Sequence, residues 1–149
     1  MSDNPCSAPI LVLEDNDQDF DIIQQVFESK GIGNPLLRFH NGDQCLDHLA
    51  QRRPSSLLPA LLVLDLNTPG TDGREVLTEI KRDPQLKTIP VIVMSSSANP
   101  QDIEFCYANG ANSYQVKPMD ISEFDRRLQA LVEYWLATAV LPAAIQHRV

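Results

Sequence analysis

The sequence predicts a doubly wound α/β fold: a five-stranded parallel sheet with helices on both faces and an extended last helix. Three observations carry this reading. Strand-like and helix-like segments alternate five times. The strand segments are near-continuous apolar runs, such as "ALLVLD" and "IPVIVMS", which means burial on both faces of a sheet. No linker, repeat or low-complexity stretch interrupts the alternation in the 149 residues, and right-handed crossovers then leave few topologies.

The elements follow in chain order. Residues 9–15, "PILVLED", are an apolar run closing on two acids. Residues 16–30 place Phe20, Ile23 and Phe27 on one helical face, and Gly31 and Gly33 end the helix. "PLLRFH" is a short second strand. Residues 43–52 form a helix with Leu46, Leu49 and Ala50 on its apolar face, and "ALLVLD" is the third strand. Residues 74–83 turn Val76, Leu77 and Ile80 inward and stop before Pro84. Residues 89–95 are the fourth strand. A short helix over 102–109 ends at Gly110, and residues 112–117, "NSYQVK", are the fifth strand. A last helix runs from Asp120 to about Val140. The whole chain is expected to be one domain, with its core over about 9–131 and a C-terminal helical extension over about 132–149.

Composition narrows the functional classes. The net charge of −8 argues against a nucleic-acid surface, which needs a basic patch, and suits a cation site or a basic partner. Cys6, Cys45 and Cys106 have no metal-ligand spacing and leave one thiol over from any pairing, as in a reduced, cytoplasmic protein. There is no signal peptide and no apolar run near 18 residues, so no membrane span is expected.

In open parallel sheets, function sits outside the carboxyl ends of the strands, near the point where strand order reverses. Here the first strand ends in Glu14 and Asp15, the third in Asp65, the fourth in Ser95 and Ser96, and the fifth in Lys117 followed by Pro118. Any one of these has a bland explanation: an acid capping a helix, a serine in a turn, a solvated lysine. Their joint occurrence at four strand ends is harder to explain that way. Two carboxylates about 4 Å apart repel by roughly 4 kcal/mol at an effective dielectric near 20. A cluster of three therefore asks for a cation. Oxygen-only donors favour a hard ion, Mg²⁺ before Ca²⁺, and Mg²⁺ shares its shell with water and phosphate. Lys117 and Ser95 supply the counter-charge and the hydroxyl that a phosphate needs.

These residues resemble the receiver domains of two-component response regulators, the CheY-like, flavodoxin-like fold with strand order 2-1-3-4-5. The motifs are the acidic pair Glu14–Asp15, "DLNTPGTDG" headed by Asp65, Ser95–Ser96 after "PVIVM", and "GANSYQVKP" around Lys117–Pro118. Thr68 departs from the usual Met or Leu, and Ser95 replaces the commoner Thr. The resemblance implies that Asp65 accepts a phosphoryl group from a sensor histidine kinase. It also implies that Glu14, Asp15, Asp65 and the Asn67 carbonyl hold Mg²⁺, that Lys117 and Ser95 engage the phosphoryl oxygens, and that Ser95 and Tyr114 form the switch. Pro118 is implied to be structural, with a cis Lys117–Pro118 bond. The segments "DGREVL", "DPQLKTIPVIV" and "YWLATAVLPAA" are similar to single-domain regulators of cyanobacterial phytochromes, which implies a phytochrome-type kinase as partner.

Other classes fit less well. A pseudo-receiver, acting only as an interaction module, would not need the intact acid, hydroxyl and lysine set. A flavodoxin-like cofactor binder needs a phosphate-cradling loop after the first strand, and "EDNDQDFD" is acidic and lacks Gly. An aspartyl-phosphate phosphatase usually carries a second acid where Asn67 stands. A serine hydrolase lacks G-x-S-x-G, and His40, His48 and His147 have no evident partner. In the last helix, Ile121, Phe124, Leu128, Leu131 and Trp135 cover one face. Tyr134, Leu136, Val140 and Leu141 fall mostly off it, and Pro142 is expected to stop the helix. Those off-stripe residues point to a homodimer through the last helix and its tail.

Overall fold

Asparagine or aspartate starts each of the five principal helices, and an apolar run precedes each one in the chain. The computed structural model describes residues 8–52 and 57–145; Cys6 and His147 lie outside them. In order come β1 (Ile10–Leu13), α1 (Asp17–Ser29), β2 (Leu36–Phe39), α2 (Gly42–Ala50), β3 (Leu61–Leu64), α3 (Gly73–Arg82), β4 (Val91–Ser95), α4 (Pro100–Ala108), β5 (Ser113–Val116) and α5 (Ile121–Val132). A π-helical segment, Glu133–Thr138, continues α5, and α6 (Pro142–Ile145) follows. The caps of α1 to α5 are Asn16, Asn41, Asp72, Asn99 and Asp120, each accepting a backbone N–H from the first turn.

All pairings are parallel, in the order β2-β1-β3-β4-β5. The order reverses between β1 and β3, where Leu13 lies beside Leu64. Strand side chains alternate between two cores, as the period of a strand requires. Ile10, Val12, Val63, Ile92 and Met94 pack with Ile23 and Phe27 of α1 and Phe124, Leu128 and Leu131 of α5. Leu11, Leu13, Leu62, Leu64, Val91 and Val93 pack on the other side with Cys45 and Leu49 of α2, Val76, Leu77 and Ile80 of α3, and Cys106 of α4.

Several details differ from the sequence expectation. Ala50 is exposed, and Cys45 takes the inward place in α2, because 45 and 49 are one helical turn apart on the face that meets the sheet. Ile121 is 69% exposed: it lies in the first turn of α5, and the buried stripe begins at Phe124. The last helix reaches Thr138, close to the expected end near Val140, but is not α-helical throughout. It widens at Glu133, where the Ala139 N–H donates to the Tyr134 carbonyl in the π pattern, and it ends as Ala139 turns extended. Pro142 starts α6 rather than stopping the long helix, since a missing N–H costs nothing at a first helical position. Trp135, Leu136 and Leu141 fold back onto the α1–α5 core, whereas Tyr134 and Val140 stay exposed. The Lys117–Pro118 bond is trans, correcting the cis expectation. Trans is the intrinsically favoured isomer of such bonds, and Met119 just beyond is fully exposed, so little packing there opposes it.

Gly73 opens α3 directly beneath the Asp65 backbone: a Cβ there would run into the Asp65 carbonyl oxygen and lie 2.9 Å from the Leu66 Cα. The Gly73 N–H meanwhile donates to the Leu66 carbonyl at 3.1 Å. Gly73→Ala is therefore expected to lower unfolding free energy by about 1–3 kcal/mol, the usual cost of overpacking. Urea denaturation should show an earlier midpoint with an unchanged slope; an unshifted midpoint would mean that the helix start yields freely.

Candidate functional site

The parallel ladder carries on one residue past three strand ends. The Glu14 N–H donates to the Phe39 carbonyl at 3.0 Å, the Asp65 N–H to the Leu13 carbonyl at 3.0 Å, and the Lys117 N–H to the Ser95 carbonyl at 2.7 Å. The sheet itself therefore fixes the backbone of each charged residue at the carboxyl edge.

Their side chains meet. The Lys117 Nζ donates to Glu14 Oε1 at 2.6 Å, to Asp65 Oδ2 at 2.9 Å and to Asp19 Oδ2 at 3.0 Å. The Lys117 side chain is only 9% exposed and that of Glu14 only 3%. Burial tends to strip charge from Lys117, but Glu14 and Asp65 outweigh it and hold the ammonium well above the usual lysine range. Burial pushes Glu14 up from 4.5 to about 7, against the pull of Lys117 and with a further push from Asp65. The remaining oxygens are also engaged: Glu14 Oε2 accepts from the Asn16 N–H at 3.1 Å, and Asp65 Oδ1 from the Asn67 N–H at 3.1 Å.

Ser95 is fully buried at the end of the neighbouring strand, and its hydroxyl oxygen accepts from the Ser97 N–H at 3.1 Å. The half-buried Tyr114 donates its hydroxyl to the Ser97 carbonyl at 2.8 Å, while its own N–H is taken by the Tyr107 hydroxyl at 3.1 Å. Asp15 and Asn67 are exposed at the rim, and Pro118 is half-buried behind Lys117. Thr68 is buried, and its hydroxyl is the one buried side-chain polar atom without a hydrogen-bond partner among the described residues. An apolar side chain would lose nothing there.

Two residues of the site were not singled out from sequence. Asp19 is the third residue after the cap of α1, and it reaches back to Lys117. Arg38, a charge within an apolar strand, clamps the loop after β1. It donates to the carbonyls of Glu14 at 3.0 Å and Asp15 at 3.2 Å and pairs with Asp17 at 2.8 Å. A charged residue in "PLLRFH" was a visible signal; the reach of Lys117 to a helix 98 residues away was not.

The donor set suits a hard cation, because Glu14, Asp15, Asp65 and the Asn67 carbonyl offer only oxygen. Among the described residues, no three ligating side chains of His, Cys, Asp or Glu are gathered closely enough to hold an ion alone.

This topology, with polar and charged residues gathered at the carboxyl edge of the sheet, is that of a signalling receiver domain. The chain belongs to the response regulator receiver domain family, whose model matches residues 10–129. It is 38% identical to the response regulator Rcp1 of Synechocystis sp. over 148 residues, 97% of this chain and 100% of Rcp1. The probable methanogenesis regulatory protein FilR2 of Methanothrix harundinacea is 36% identical over 85% of the chain and 83% of its own length. Among solved structures, the phosphorylated cyanobacterial phytochrome response regulator RcpA superposes with a TM-score of 0.85 at 37% identity, covering 91% of this chain and 99% of that one. The Mn²⁺-bound form of Rcp1 does so with a TM-score of 0.85 at 36% identity and the same coverage. Receiver domains bind Mg²⁺ and take their signal from sensor histidine kinases. No helix of the described residues is long and apolar enough to cross a membrane.

The raised pKa of Glu14 has a stability consequence. Between 4.5 and about 7 the folded chain keeps a proton that the unfolded chain has released, so unfolding free energy falls as pH rises through that window. The slope is at most ~1.4 kcal/mol per pH unit. Glu14→Gln is expected to flatten this dependence and to be more stable than the wild type at pH 8, read by urea denaturation across pH. A variant less stable at pH 8 would mean that the Glu14–Lys117 pairing outweighs the burial of the carboxylate.

Proposed function

We propose that the chain is a phosphoryl-accepting switch in which Asp65 is the acceptor. One observation carries this: a buried ammonium, Lys117, is shared between Asp65 and Glu14 at the point where strand order reverses, with a buried hydroxyl, Ser95, on the adjacent strand end. The Asp65 carboxylate attacks the phosphorus of a phosphohistidine on a sensor kinase. The P–N bond breaks, the imidazole nitrogen takes up a proton, and an acyl phosphate forms. Lys117 offsets the repulsion between carboxylate and phosphoryl group, and Ser95 donates its proton to a phosphoryl oxygen. The catalysis is positioning and electrostatics. Glu14, Asp15, Asp65 and the Asn67 carbonyl would hold Mg²⁺, which supplies charge neutralisation at the phosphoryl oxygens. The phosphoryl group carries roughly 1.5 to 2 negative charges and replaces the single charge of the carboxylate, a net gain of about one. Those charges draw in Ser95 and, through the Ser97 carbonyl, Tyr114, so a local charge event biases the loop between β4 and α4. The similarity to phytochrome response regulators supports a phytochrome-type histidine kinase as the donor. Phosphoryl transfer to itself and slow self-hydrolysis are the only reactions this reading gives the chain.

Incubation with acetyl phosphate and Mg²⁺ should add one phosphoryl group by intact mass, and Asp65→Asn should add none. Asp15→Asn should slow the uptake and weaken Mg²⁺ binding while keeping the fold. Uptake by Asp65→Asn, or a wild type that stays unmodified, would sink the assignment.

The exposed Tyr134 and Val140, at 54% and 77%, favour a homodimer through α5 and the tail, although Leu136 and Leu141 spend their apolar surface on the core. Sedimentation should detect a dimer at tens of micromolar, roughly the range of weak interfaces, and a Tyr134→Glu, Val140→Glu variant should be monomeric. A wild type that is monomeric with and without phosphoryl would refute it.

A further inference from the structure

Ser97 is held from every side. Its N–H donates to the Ser95 hydroxyl at 3.1 Å, its carbonyl accepts from the Tyr114 hydroxyl at 2.8 Å, and its own hydroxyl donates to Asp102 Oδ2 at 2.6 Å while accepting from the Asn99 N–H at 3.2 Å. Asp102, in the first turn of α4, is anchored in turn by Arg74, whose Nη2 donates to Asp102 Oδ1 at 2.7 Å. Arg74 belongs to the first turn of α3, where its N–H meets the capping Asp72 at 2.9 Å, and α3 follows the loop that leaves Asp65. A polar chain therefore runs from the loop after Asp65 to the hydroxyl of Ser95. The Ser97 hydrogen bond and then Arg74 hold the Asp102 carboxyl below the usual range, so it stays ionised and the anchor persists at neutral pH.

Resting on Asp65 as acceptor, we propose that Arg74, Asp102 and Ser97 are positioning residues for the phosphoryl chemistry. Asp102, tied down by Arg74, sets Ser97 so that its backbone N–H occupies a lone pair of the Ser95 hydroxyl and leaves the hydroxyl proton to be donated to the phosphoryl group. A serine hydroxyl has one proton and two lone pairs, so fixing one lone pair restricts where the proton points. The hydrogen bonds of these side chains run to one another and to the loop after Ser95 rather than to Asp65 or Lys117, so they act through Ser95. A helix-capping role alone would tie Ser97 and Asp102 to the stability of α4 and leave the chemistry indifferent to them.

A double-mutant cycle on the full chain separates the two. Uptake from acetyl phosphate with Mg²⁺ is followed by intact mass, alongside the unfolding midpoint, with Asp65→Asn as control. Asp102→Asn is expected to slow uptake about five-fold, the effect of losing one ordinary hydrogen bond, with Mg²⁺ affinity unchanged. In a Ser95→Ala background the same substitution should change nothing. Arg74→Gln should slow uptake less, and Arg74→Lys should restore most of the rate. Equal slowing in both backgrounds, or no slowing in the wild-type background, overturns the inference. If Asp102→Asn fails to fold, the Arg74→Gln cycle is read by the same two criteria. Uptake that survives in Asp65→Asn reads differently: it overturns the acceptor assignment itself.

Discussion

One buried ammonium organises this molecule's working edge. Lys117 sits within 3.0 Å of carboxylate oxygens from Glu14, Asp19 and Asp65, three acids from two separate stretches of chain. The ammonium between them offsets the repulsion of the buried Glu14 and Asp65 carboxylates. With it, each acid is partly neutralised and the edge holds together. Three negative groups share one positive one, so the cluster stays short of positive charge. A divalent ion would relieve that deficit, whereas the rise of the Glu14 carboxyl towards neutrality comes first from its burial, with a smaller push from Asp65.

Everything beneath that edge serves to place it. The sheet ladder reaches one residue beyond β1, β3 and β5, so Glu14, Asp65 and Lys117 inherit the rigidity of a doubly buried sheet. The two apolar cores clamp that sheet from both faces. The helices α1 to α5 all begin on the same edge, each with an Asn or Asp cap, so their partly positive amino ends surround a cluster that carries net negative charge. Gly73 is small because α3 must start against the Asp65 backbone. Arg38 ties the loop after β1 to the edge strand β2, which keeps Asp15 and Asn16 in place without contributing to the cluster.

Rigidity under Asp65 contrasts with the hydrogen-bonded loop beyond Ser95. That loop touches the sheet through Ser95, the edge strand through Tyr114 and the neighbouring helix through Asp102 and Arg74. A change at the proposed acceptor therefore meets a segment whose position depends on a few polar contacts rather than on core packing. Polar contacts of ordinary net strength, about 1 kcal/mol each, are the right size to be redistributed by one added phosphoryl group.

The sequence by itself determined the layers and most of the edge. Apolar runs wide enough for two-sided burial specify a parallel sheet, and a charge or hydroxyl directly after a run must emerge at the carboxyl end. Glu14, Asp65, Ser95 and Lys117 were legible for that reason, as were Ile23, Phe27, Val76, Leu77 and Ile80 from helical spacing. Tertiary structure decided what spacing does not encode. Asp19 joins the cluster because the start of α1 lies beside the turn between β5 and α5, a packing fact with no local signature. Arg74 and Asp102 meet because α3 and α4 start side by side. The last helix widens at Glu133 and breaks at Ala139, so Trp135 and Leu136 return to the core, since burial against α1 outweighs continuing a regular helix into solvent.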